Sequence, residues 1–384
     1  TAQALKKKKS PSQGPPTPLS GPRPSLVMWD LLRHVSSAQF AAHWAVGLWI
    51  FDLLLTTLII ARVPFTNIDW EAYMAEVDGV LRGHFDYAHL EGPTGPIAYP
   101  AGFCWIYGAL RWLDLDIGGV QAVFGALYLA MLAVVFMIYK QAQAPGWLLA
   151  LCMLSKRVHS IFVLRLFNDA VAQFFVYLAL LLFLRRRHLQ SALTYSLAVS
   201  VKMHPLLYCP AVGLSLVLFG GWAYAIPLVC AMVLLQVVLA APFLFSNPLA
   251  YLQRAFGGPG DLQHAWSVNW RFLPEQVFMH RAFVAAVHLC HLGLLAWFAH
   301  RRWIRGGFLD ERIRRWAGRG AGLDERATVG LWFTCNFVGV LCLRTIHFQY
   351  LVWYFHSVPF LAWYAIEPDR HRGLGWAARC IAVV

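Results

Sequence analysis

Long apolar segments constrain the fold of this chain more than any other feature. Residues 41–63 give 23 positions that would rise about 34 Å as an α-helix, enough to cross a hydrocarbon core of about 30 Å. Hydrophobic residues make up 59% of the chain and charged residues 13%, which is far from the composition of a soluble domain. The sequence therefore predicts an all-α polytopic membrane protein. Further candidate spans are 120–139, 171–184, 223–245, 277–299, 327–343 and 350–366.

The distribution of basic residues predicts the topology. A net charge of +13 could indicate a nucleic-acid partner, but the cations cluster at the ends of spans, as the positive-inside rule describes. We expect no nucleic acid, and we place Lys6 to Lys9, Arg185 to Arg187 and the arginines between 301 and 319 in the cytosol.

The domain boundaries follow from this pattern. Residues 1–40 read as a largely disordered cytosolic tail, because the stretch to about Pro24 is rich in Lys, Pro, Ser and Gly. It is not read as a signal peptide, because no short apolar core with a small-residue cleavage site follows it. Residues 41–384 form the multi-span domain, with a non-cytosolic loop at 64–118 and a cytosolic loop at 300–326. The chain ends in an apolar run at Val384, so we expect a truncated C-terminus.

Two intervals resist a simple span count. Residues 97–113 suit either a short span or a segment along the membrane surface, and only the surface placement keeps the positive-inside rule satisfied through the first half. Between 190 and 245 three full crossings hardly fit, so we expect broken or re-entrant helices around Lys202 and Pro205. Four polar stretches then share the non-cytosolic face: 64–118, 156–169, 246–276 and 344–349.

The first of these stretches concentrates carboxylates beside the membrane. Six of the 19 acidic residues lie between Asp69 and Glu91. A solvated helix start capped by Asn67 would explain such a loop in most proteins. Here bulky apolar residues alternate with the acids, so the carboxylates lie where the loop must pack against something. An aspartate held there beside Trp70 suits general-base chemistry.

The other polar stretches carry cations and aromatic rings. Taken one at a time, most of these cations and aromatic residues can be explained as anchors at the membrane interface. Lys202 and His204 lie inside an apolar run, which indicates that they face a cavity or a partner. The run from Trp266 to Phe272 suits sugar stacking or interfacial anchoring, and the run from Arg344 to His356 could hold a phosphate.

Metal and disulfide signals are weak. Asp114 and Asp116 have the spacing of a metal-binding Asp-x-Asp pair, but nothing nearby supports a metal. The eight cysteines contain no Cys-x-x-Cys pair and lie mostly in apolar spans, so they read as small buried hydrophobes. Three histidines of one span (His280, His288 and His291) are better explained by packing than by zinc. We expect no metal and no cofactor.

Several motifs in one consistent order resemble those of a known family. The matching runs are Ile68–Met74, Thr94–Pro96 with Tyr99–Gly102, Arg157–Asp169, Trp266–Pro274 and His347–His356. They resemble the dolichyl-phosphate-mannose-dependent α-1,3-mannosyltransferases of the endoplasmic reticulum, over about Thr66 to Trp363. Departures from the family pattern are Glu91-Gly92-Pro93, Gly257 to Gly260 and His204-Pro205, which affect the expected acceptor contacts more than the reaction.

The resemblance implies a GT-C membrane fold with a large first luminal loop, a luminal active site and an inverting reaction. It also implies two substrates, dolichyl phosphate mannose and the dolichyl-diphosphate-linked oligosaccharide. Asp69 is then the candidate base, with Glu71 second. Candidates for the donor phosphate are Arg344, His347, Lys202, Arg157 and Arg271. Candidates for acceptor or sugar contacts are Trp70, Tyr99, His159, Asn168, Asp169, Trp266, Asn269 and Trp270.

Three rival functions stay open from the sequence. A related transferase could use the same donor and make an α-1,2 or α-1,6 linkage, which residue chemistry does not distinguish. A transporter or flippase could line its pathway with Lys202 and His204, although internal repeat symmetry is not evident. A non-catalytic assembly subunit would not need Asp69.

Overall fold

The computed structural model of the protein describes residues 38–257, 264–304 and 324–366. The predicted tail before residue 38, most of the predicted loop 300–326, the segment Gly258 to Gly260 and the predicted truncation after residue 366 lie outside the described residues.

Within these ranges the fold is helical. The one sheet in the described part is a hairpin of two-residue strands, in which β1 (Glu91–Gly92) pairs antiparallel with β2 (Gly95–Pro96). The helices are α1 (Ala38–Arg62), α2 (Trp70–Leu81), α3 (Ala101–Trp112), α4 (Ile117–Gln141), α5 (Leu148–Leu151), α6 (Lys156–His159), α7 (Asn168–Leu184), α8 (His188–Val201), α9 (Cys209–Gly220), α10 (Trp222–Ser246), α11 (Pro248–Phe256), α12 (Glu275–Met279), α13 (Arg281–Phe298), α14 (Glu325–Leu341), α15 (Leu351–Tyr354) and α16 (Val358–Ile366).

Four helical segments are long and apolar enough to cross a membrane. They are His43–Arg62, Ile117–Gln141, Trp222–Ser246 and Arg281–Arg301. The spans predicted at 41–63, 120–139 and 223–245 are thereby confirmed as long apolar helices, and the span predicted at 277–299 is confirmed from Arg281 onwards, after a break at His280. The protein is an all-α polytopic membrane protein.

The other predicted spans correspond to shorter or broken helices. The segment 171–184 belongs to α7, which follows the helical segment Lys156–Leu164 across a bend of 110°. The segment 327–343 falls on α14, which has 17 residues. The segment 350–366 is divided between α15 and α16, with a break at residues 355–357. If these breaks lie within the membrane, surrounding protein must supply hydrogen-bond partners for the exposed backbone groups.

The structure resolves the two ambiguous intervals. α3 has 12 residues, about 18 Å of helix, which is too short to cross a bilayer. Residues 188–246 form three helices, of which only α10 is long enough to cross a membrane. Helices α8 and α9 have 14 and 12 residues, which agrees with the expectation that three full crossings hardly fit. The predicted break is present: α8 ends before Lys202, and Pro205 lies in a 3₁₀ turn that leads into α9.

The interior of the bundle is built around α4 and α7. The spanning window of α4 is 61% buried, whereas the windows of α10 and α13 are 17% and 11% buried. Exposed valines and leucines on α10 therefore face the lipid. Helices α7 and α8 pack side by side, which brings the start of α7 and the end of α8 to the same end of the bundle.

A small layer made of α2, the β-hairpin and α3 covers that end. Helix α2 buries Tyr73, Val77 and Val80 against α3, and it leaves Glu71 in solvent. The hairpin turn uses Gly95 at φ +126°, a conformation that favours glycine. Gly92 lies so close to α2 that a Cβ atom there would come within 2.7 Å of the backbone of Ala72. The hairpin is thus packed tightly against α2.

We expect Gly102→Ala to destabilise the protein. A Cβ atom at this position would overlap Ser200 of α8, including its backbone oxygen at 2.9 Å, so α3 would have to move away from the bundle. Overpacking of this kind costs about 1–3 kcal/mol. Thermal unfolding in detergent should show a lower midpoint for this variant. Gly47→Ala is the matched control, because nothing lies within 4 Å of a Cβ atom there. Equal midpoints for the two variants would contradict the close approach of α3 and α8.

Candidate active site

The site begins at the first residue of α2. Asp69 occupies the N-cap position, but its carboxylate makes no capping hydrogen bond with the helix backbone. Asn67 Oδ1 instead accepts the Glu71 N–H at 3.4 Å. The Asp69 carboxylate accepts a hydrogen bond from the Tyr73 hydroxyl at 3.3 Å, one helical turn away. A simple helix cap therefore does not explain Asp69.

Tyr73 joins Asp69 to α7. Its hydroxyl lies 3.3 Å from Asp69 Oδ2 and 3.4 Å from Asn168 Oδ1, so it can donate to either oxygen. The ring is fully buried and packs edge-to-face against Tyr99, Phe103 and Tyr107, at centroid distances of 5.5, 5.2 and 5.1 Å. These contacts fix the hydroxyl between the two elements.

A sharp bend places Asn168 and Asp169 at the site. Leu166, just before α7, is buried and has φ +54°, a left-handed conformation that is uncommon for leucine. Its carbonyl accepts a hydrogen bond from Tyr107 at 3.1 Å. Surrounding packing must stabilise such a backbone, and strained residues of this kind cluster at functional sites. The bend directs the first turn of α7 towards α2 and the end of α8.

Lys202 is the central cation of the site. Its Nζ atom donates to Asp169 Oδ2 at 2.6 Å and to Asn168 Oδ1 at 2.9 Å. The same atom lies 5.6 Å from the centre of the Tyr99 ring and 6.0 Å from that of Tyr350. The lysine side chain is 15% exposed, whereas Asp169 is fully buried. An ammonium group has three N–H donors, so one remains for a ligand oxygen.

A stack of aromatic rings forms the opposite wall. His347 stacks on Tyr350 at 5.1 Å, Tyr350 on Trp353 at 3.7 Å, and Trp353 on His204 at 4.4 Å. The Trp353 indole N–H donates to Asp169 Oδ1 at 2.6 Å, so each oxygen of that buried carboxylate has a donor. His204 in turn lies 3.1 Å from Gln173 Oε1. The stack links the half-buried His347 to the interior.

Burial and charge set the protonation of the site. Burial raises the pKa of Asp69, and the nearby Lys202 ammonium partly offsets this effect. Burial also lowers the pKa of His347, and the charge of Lys202 lowers it further. Asp69 therefore combines the acceptor chemistry of a carboxylate with a raised basicity, which suits a general base.

His159 is engaged in a separate buried network. Its Nε2 atom lies 2.8 Å from Asp52 Oδ1, and its Nδ1 atom lies 3.0 Å from the Ser155 carbonyl. The Tyr128 hydroxyl donates to the other oxygen of Asp52 at 2.6 Å. Because both ring nitrogens already face acceptors, the ring has no donor left for a sugar. The structure thus places this candidate in a network that joins α1, α4 and α6.

Two candidates on α2 differ from Asp69 in their surroundings. The Glu71 side chain is exposed, and Trp70 is buried with its ring 6.0 Å from that of Tyr107. The geometry favours Asp69 over Glu71 as the base and gives Trp70 a packing role.

The three arginine candidates lie around the site or away from it. Arg157 lies over the Phe348 ring at 4.5 Å, beside the loop that carries His347. Arg344 turns towards α12, where it donates to the Phe278 carbonyl at 3.3 Å and lies 5.0 Å from the Phe278 ring. Arg271 is exposed. The structure brings Lys202 and His347 together, with Arg157 nearest the same loop.

Asn269 and Trp270 hold that loop in place. Asn269 Oδ1 accepts the Ile346 N–H at 2.9 Å, and its amide donates to the Leu343 carbonyl at 2.9 Å. The Trp270 indole donates to the same carbonyl at 3.0 Å. Trp266 is 66% exposed. In this structure Asn269 and Trp270 position the His347 loop, and Trp266 lies at the surface.

Comparisons with known proteins identify the family. The family model described as ALG3 protein matches residues 46–381. The chain belongs to the ALG3 family. Similar proteins are the Dol-P-Man:Man(5)GlcNAc(2)-PP-Dol alpha-1,3-mannosyltransferases of Mus musculus, 43% identical over 82% of this chain and 74% of the relative, and of Homo sapiens, 43% identical over 83% and 75%. The Arabidopsis thaliana protein of the same name is 38% identical over 84% of this chain and 78% of its own length. No solved structure matches the chain.

Some residues of this ALG3-family site were missed from the sequence. Tyr73, Tyr350 and Trp353 stood out only as bulky neighbours of charged residues. The spacing of four residues between Asp69 and Tyr73 was a usable signal, because such positions share a helix face. Nothing local indicated that Trp353 would donate to Asp169, 184 positions earlier.

No group of three metal-ligating side chains occurs within residues 38–257, 264–304 and 324–366. The carboxylates of Asp69 and Asp169 are separately engaged with Tyr73 and with Lys202. Independence from a metal remains a prediction.

Replacing both members of the Asp52–His159 pair should restore much of the stability that one replacement removes. Asp52→Leu alone leaves a buried ring without its carboxylate and should cost about 3–5 kcal/mol, whereas a well-packed apolar pair is often nearly neutral. Thermal unfolding of both single variants and the double Leu variant gives the coupling. If His159 has only this structural role, the double variant keeps mannose transfer within a few-fold. Loss of transfer in a folded double variant would instead support a sugar contact.

Trp353→Phe should destabilise the site without removing the aromatic stack. One oxygen of the buried Asp169 carboxylate loses its donor, which costs about 1–3 kcal/mol. The unfolding midpoint should fall below that of Trp297→Phe, a control on the exposed face of α13. Equal midpoints would show that the 2.6 Å contact contributes little.

Proposed function

We propose that this protein transfers mannose from dolichyl phosphate mannose to the lipid-linked Man5GlcNAc2 oligosaccharide in α-1,3 linkage. The ALG3 family membership and the printed names of the relatives support this function. The observation that carries it here is that Asp69, whose pKa is raised, and the largely buried Lys202 lie in one hydrogen-bonded cluster. Tyr73 and Asn168 connect the two residues. A transferase of this type needs a base for the acceptor and a cation for the leaving phosphate.

The reaction can be written on these residues. The Asp69 carboxylate takes the proton of the acceptor 3-hydroxyl as that oxygen forms a bond with the anomeric carbon of the donor mannose. The bond between the anomeric carbon and the phosphate oxygen breaks on the opposite face, and dolichyl phosphate leaves with the bonding electrons. One displacement inverts the anomeric centre, so a β-linked donor gives an α-linked product.

Lys202 is suited to stabilise the leaving phosphate. Its ammonium group is held in place by Asp169 and Asn168, so it does not reorganise during the reaction. His347 lies on the same side of the site, because it stacks on Tyr350, whose ring centre is 6.0 Å from Lys202 Nζ. Arg157, over the Phe348 ring, is the next cation along that loop. We assign the donor phosphate to the Lys202 and His347 side, and the acceptor to the Asp69 side.

The wider setting belongs to the same proposal. We place the protein in the endoplasmic reticulum membrane with a GT-C fold, and we place the α2 to α3 layer in the lumen as part of the loop 64–118. The basic segment Arg185 to Arg187 supports this orientation, because it follows α7 at the end opposite Asp169. Two lipid-linked substrates fit a site at the end of an apolar bundle.

The direct test is transfer by the purified protein. It is supplied with dolichyl phosphate mannose and the five-mannose lipid-linked acceptor, and the linkage of the product is determined by NMR. An α-1,3-linked mannose is expected, with activity retained in EDTA. An α-1,2 or α-1,6 product would assign the protein to a different transferase reaction, and the absence of transfer would favour a transport or assembly role.

Asp69→Asn should abolish transfer while the protein stays folded, because the amide cannot accept the acceptor proton. Removing a general base lowers rates by about 10²–10⁴-fold. Glu71→Gln is the matched control, since it removes a carboxylate two positions away that is exposed to solvent. Near-normal turnover of Asp69→Asn, or loss of activity in Glu71→Gln alone, would remove Asp69 as the base.

The pH profile of transfer should show an acidic limb above the ordinary range of an aspartate. The base must be ionised, and burial raises the pKa of Asp69, so kcat/KM falls as the pH falls through this raised value. A Lys202→Met variant should move that limb to still higher pH, because the ammonium charge lowers the pKa of Asp69. An unchanged limb would show that another group is being titrated.

A further inference from the structure

Glu76 is a buried acid that the proposed reaction does not use. It lies seven residues after Asp69 on α2, so about two helical turns bring the two carboxyl groups to the same face. Glu76 is 3% exposed, and its Oε2 atom has no hydrogen-bond partner. A purely structural buried glutamate would normally have its oxygens paired.

The surroundings of Glu76 are neutral apart from Asp69. On its own helix, Asp69 acts on it by like-charge repulsion, and Tyr73 lies between the two acids. From the neighbouring elements, Tyr87, Tyr99 and Cys104 lie within electrostatic range. The hydroxyl of Tyr87 lies 3.4 Å from the Cys104 sulfur and donates to the backbone carbonyl of Tyr99, so Tyr87 and Cys104 are engaged with each other. Among the described residues, no cation offsets these effects on Glu76.

This environment gives the two carboxyl groups different pKa values. Burial, with repulsion from Asp69 second, raises the pKa of Glu76 to about 8. Asp69 is less perturbed, because Lys202 stabilises its charge. Two nearby acids in environments that differ in this way titrate apart, and they can hold different protonation states at neutral pH.

We infer that Glu76 is a second carboxyl group behind this site that keeps its proton while Asp69 is ionised, and that its ionisation sets the alkaline limit of mannose transfer. The inference rests on the proposed function. With Glu76 neutral, Asp69 is the one ionised member of this pair of acids, and the Lys202 ammonium, which is bonded to Asp169, partly offsets its charge. When Glu76 ionises, a second buried anion lies behind Asp69 and repels the phosphate of the approaching donor.

The test compares pH profiles of kcat/KM between pH 6 and 9.5. In the wild type, kcat/KM should fall about tenfold from neutral pH to one pH unit above the pKa of Glu76. Glu76→Gln should keep the neutral value within about twofold and lose the alkaline limb. Glu76→Asp should retain a limb, and Asp78→Asn should behave as the wild type, because Asp78 is a half-buried acid of the same helix that is paired with Arg111.

Three results would overturn the inference. They are an unchanged alkaline limb in Glu76→Gln, loss of transfer at every pH in a folded Glu76→Gln protein, and loss of the limb in Asp78→Asn. Inactivity of the wild type would instead count against the proposed function.

A second readout does not need activity. Because the folded state binds the Glu76 proton more tightly than the unfolded state, stability falls as the pH rises from about 4.5 to about 8. Glu76→Gln should flatten that part of the unfolding curve and raise the midpoint at pH 8. An unaltered pH dependence would show that Glu76 does not hold its proton, and the inference would be wrong.

Discussion

The Lys202–Asp169 ion pair is the contact on which the site depends. Its 2.6 Å hydrogen bond joins the end of α8 to the start of α7, and both positions are placed there by breaks in helices. Because Asp169 is fully buried, its charge requires donors on both oxygens, and Lys202 and Trp353 supply them. The aromatic stack, the His347 loop and the Tyr73 bridge to Asp69 all meet this pair.

Electrostatics gives the four acids near the bundle end different roles. Asp169 is neutralised by Lys202 and acts as a support. Asp69 is partly buried and partly compensated, which makes it basic yet available. Glu76 has no compensating cation in the part of the chain that the structure describes and stays protonated, whereas Glu71 is solvated. The same residue type thus supplies a support, a base, a neutral acid and a surface charge, according to burial and partners.

The sequence predicted the class of protein and part of the site. Four long apolar helices and the break at Lys202 and Pro205 agree with hydropathy and proline chemistry, which act locally along the chain. Asp69, Asn168, Asp169, Lys202 and His347 were predicted as site residues, and the structure places them together. The sequence predicted broken helices between 190 and 245, but it did not give the bounds of the short helices α8 and α9.

Contacts distant in sequence could not be predicted. The engagement of His159 with Asp52 spans 107 positions, and the Trp353 bond to Asp169 spans 184. Both depend on how the helices pack, which a single sequence does not encode as a pattern. Likewise, Arg344 donates to the Phe278 carbonyl of α12. The position of Arg344 at the end of a predicted span did not indicate this partner.

The most direct measurement is a structure of the protein with both lipid-linked substrates bound. We predict that the acceptor 3-hydroxyl lies within hydrogen-bonding distance of the Asp69 carboxylate, about 2.6–3.2 Å, while the donor phosphate contacts Lys202. A 3-hydroxyl placed against another carboxylate, or a phosphate held at Arg344 away from Lys202, would contradict it.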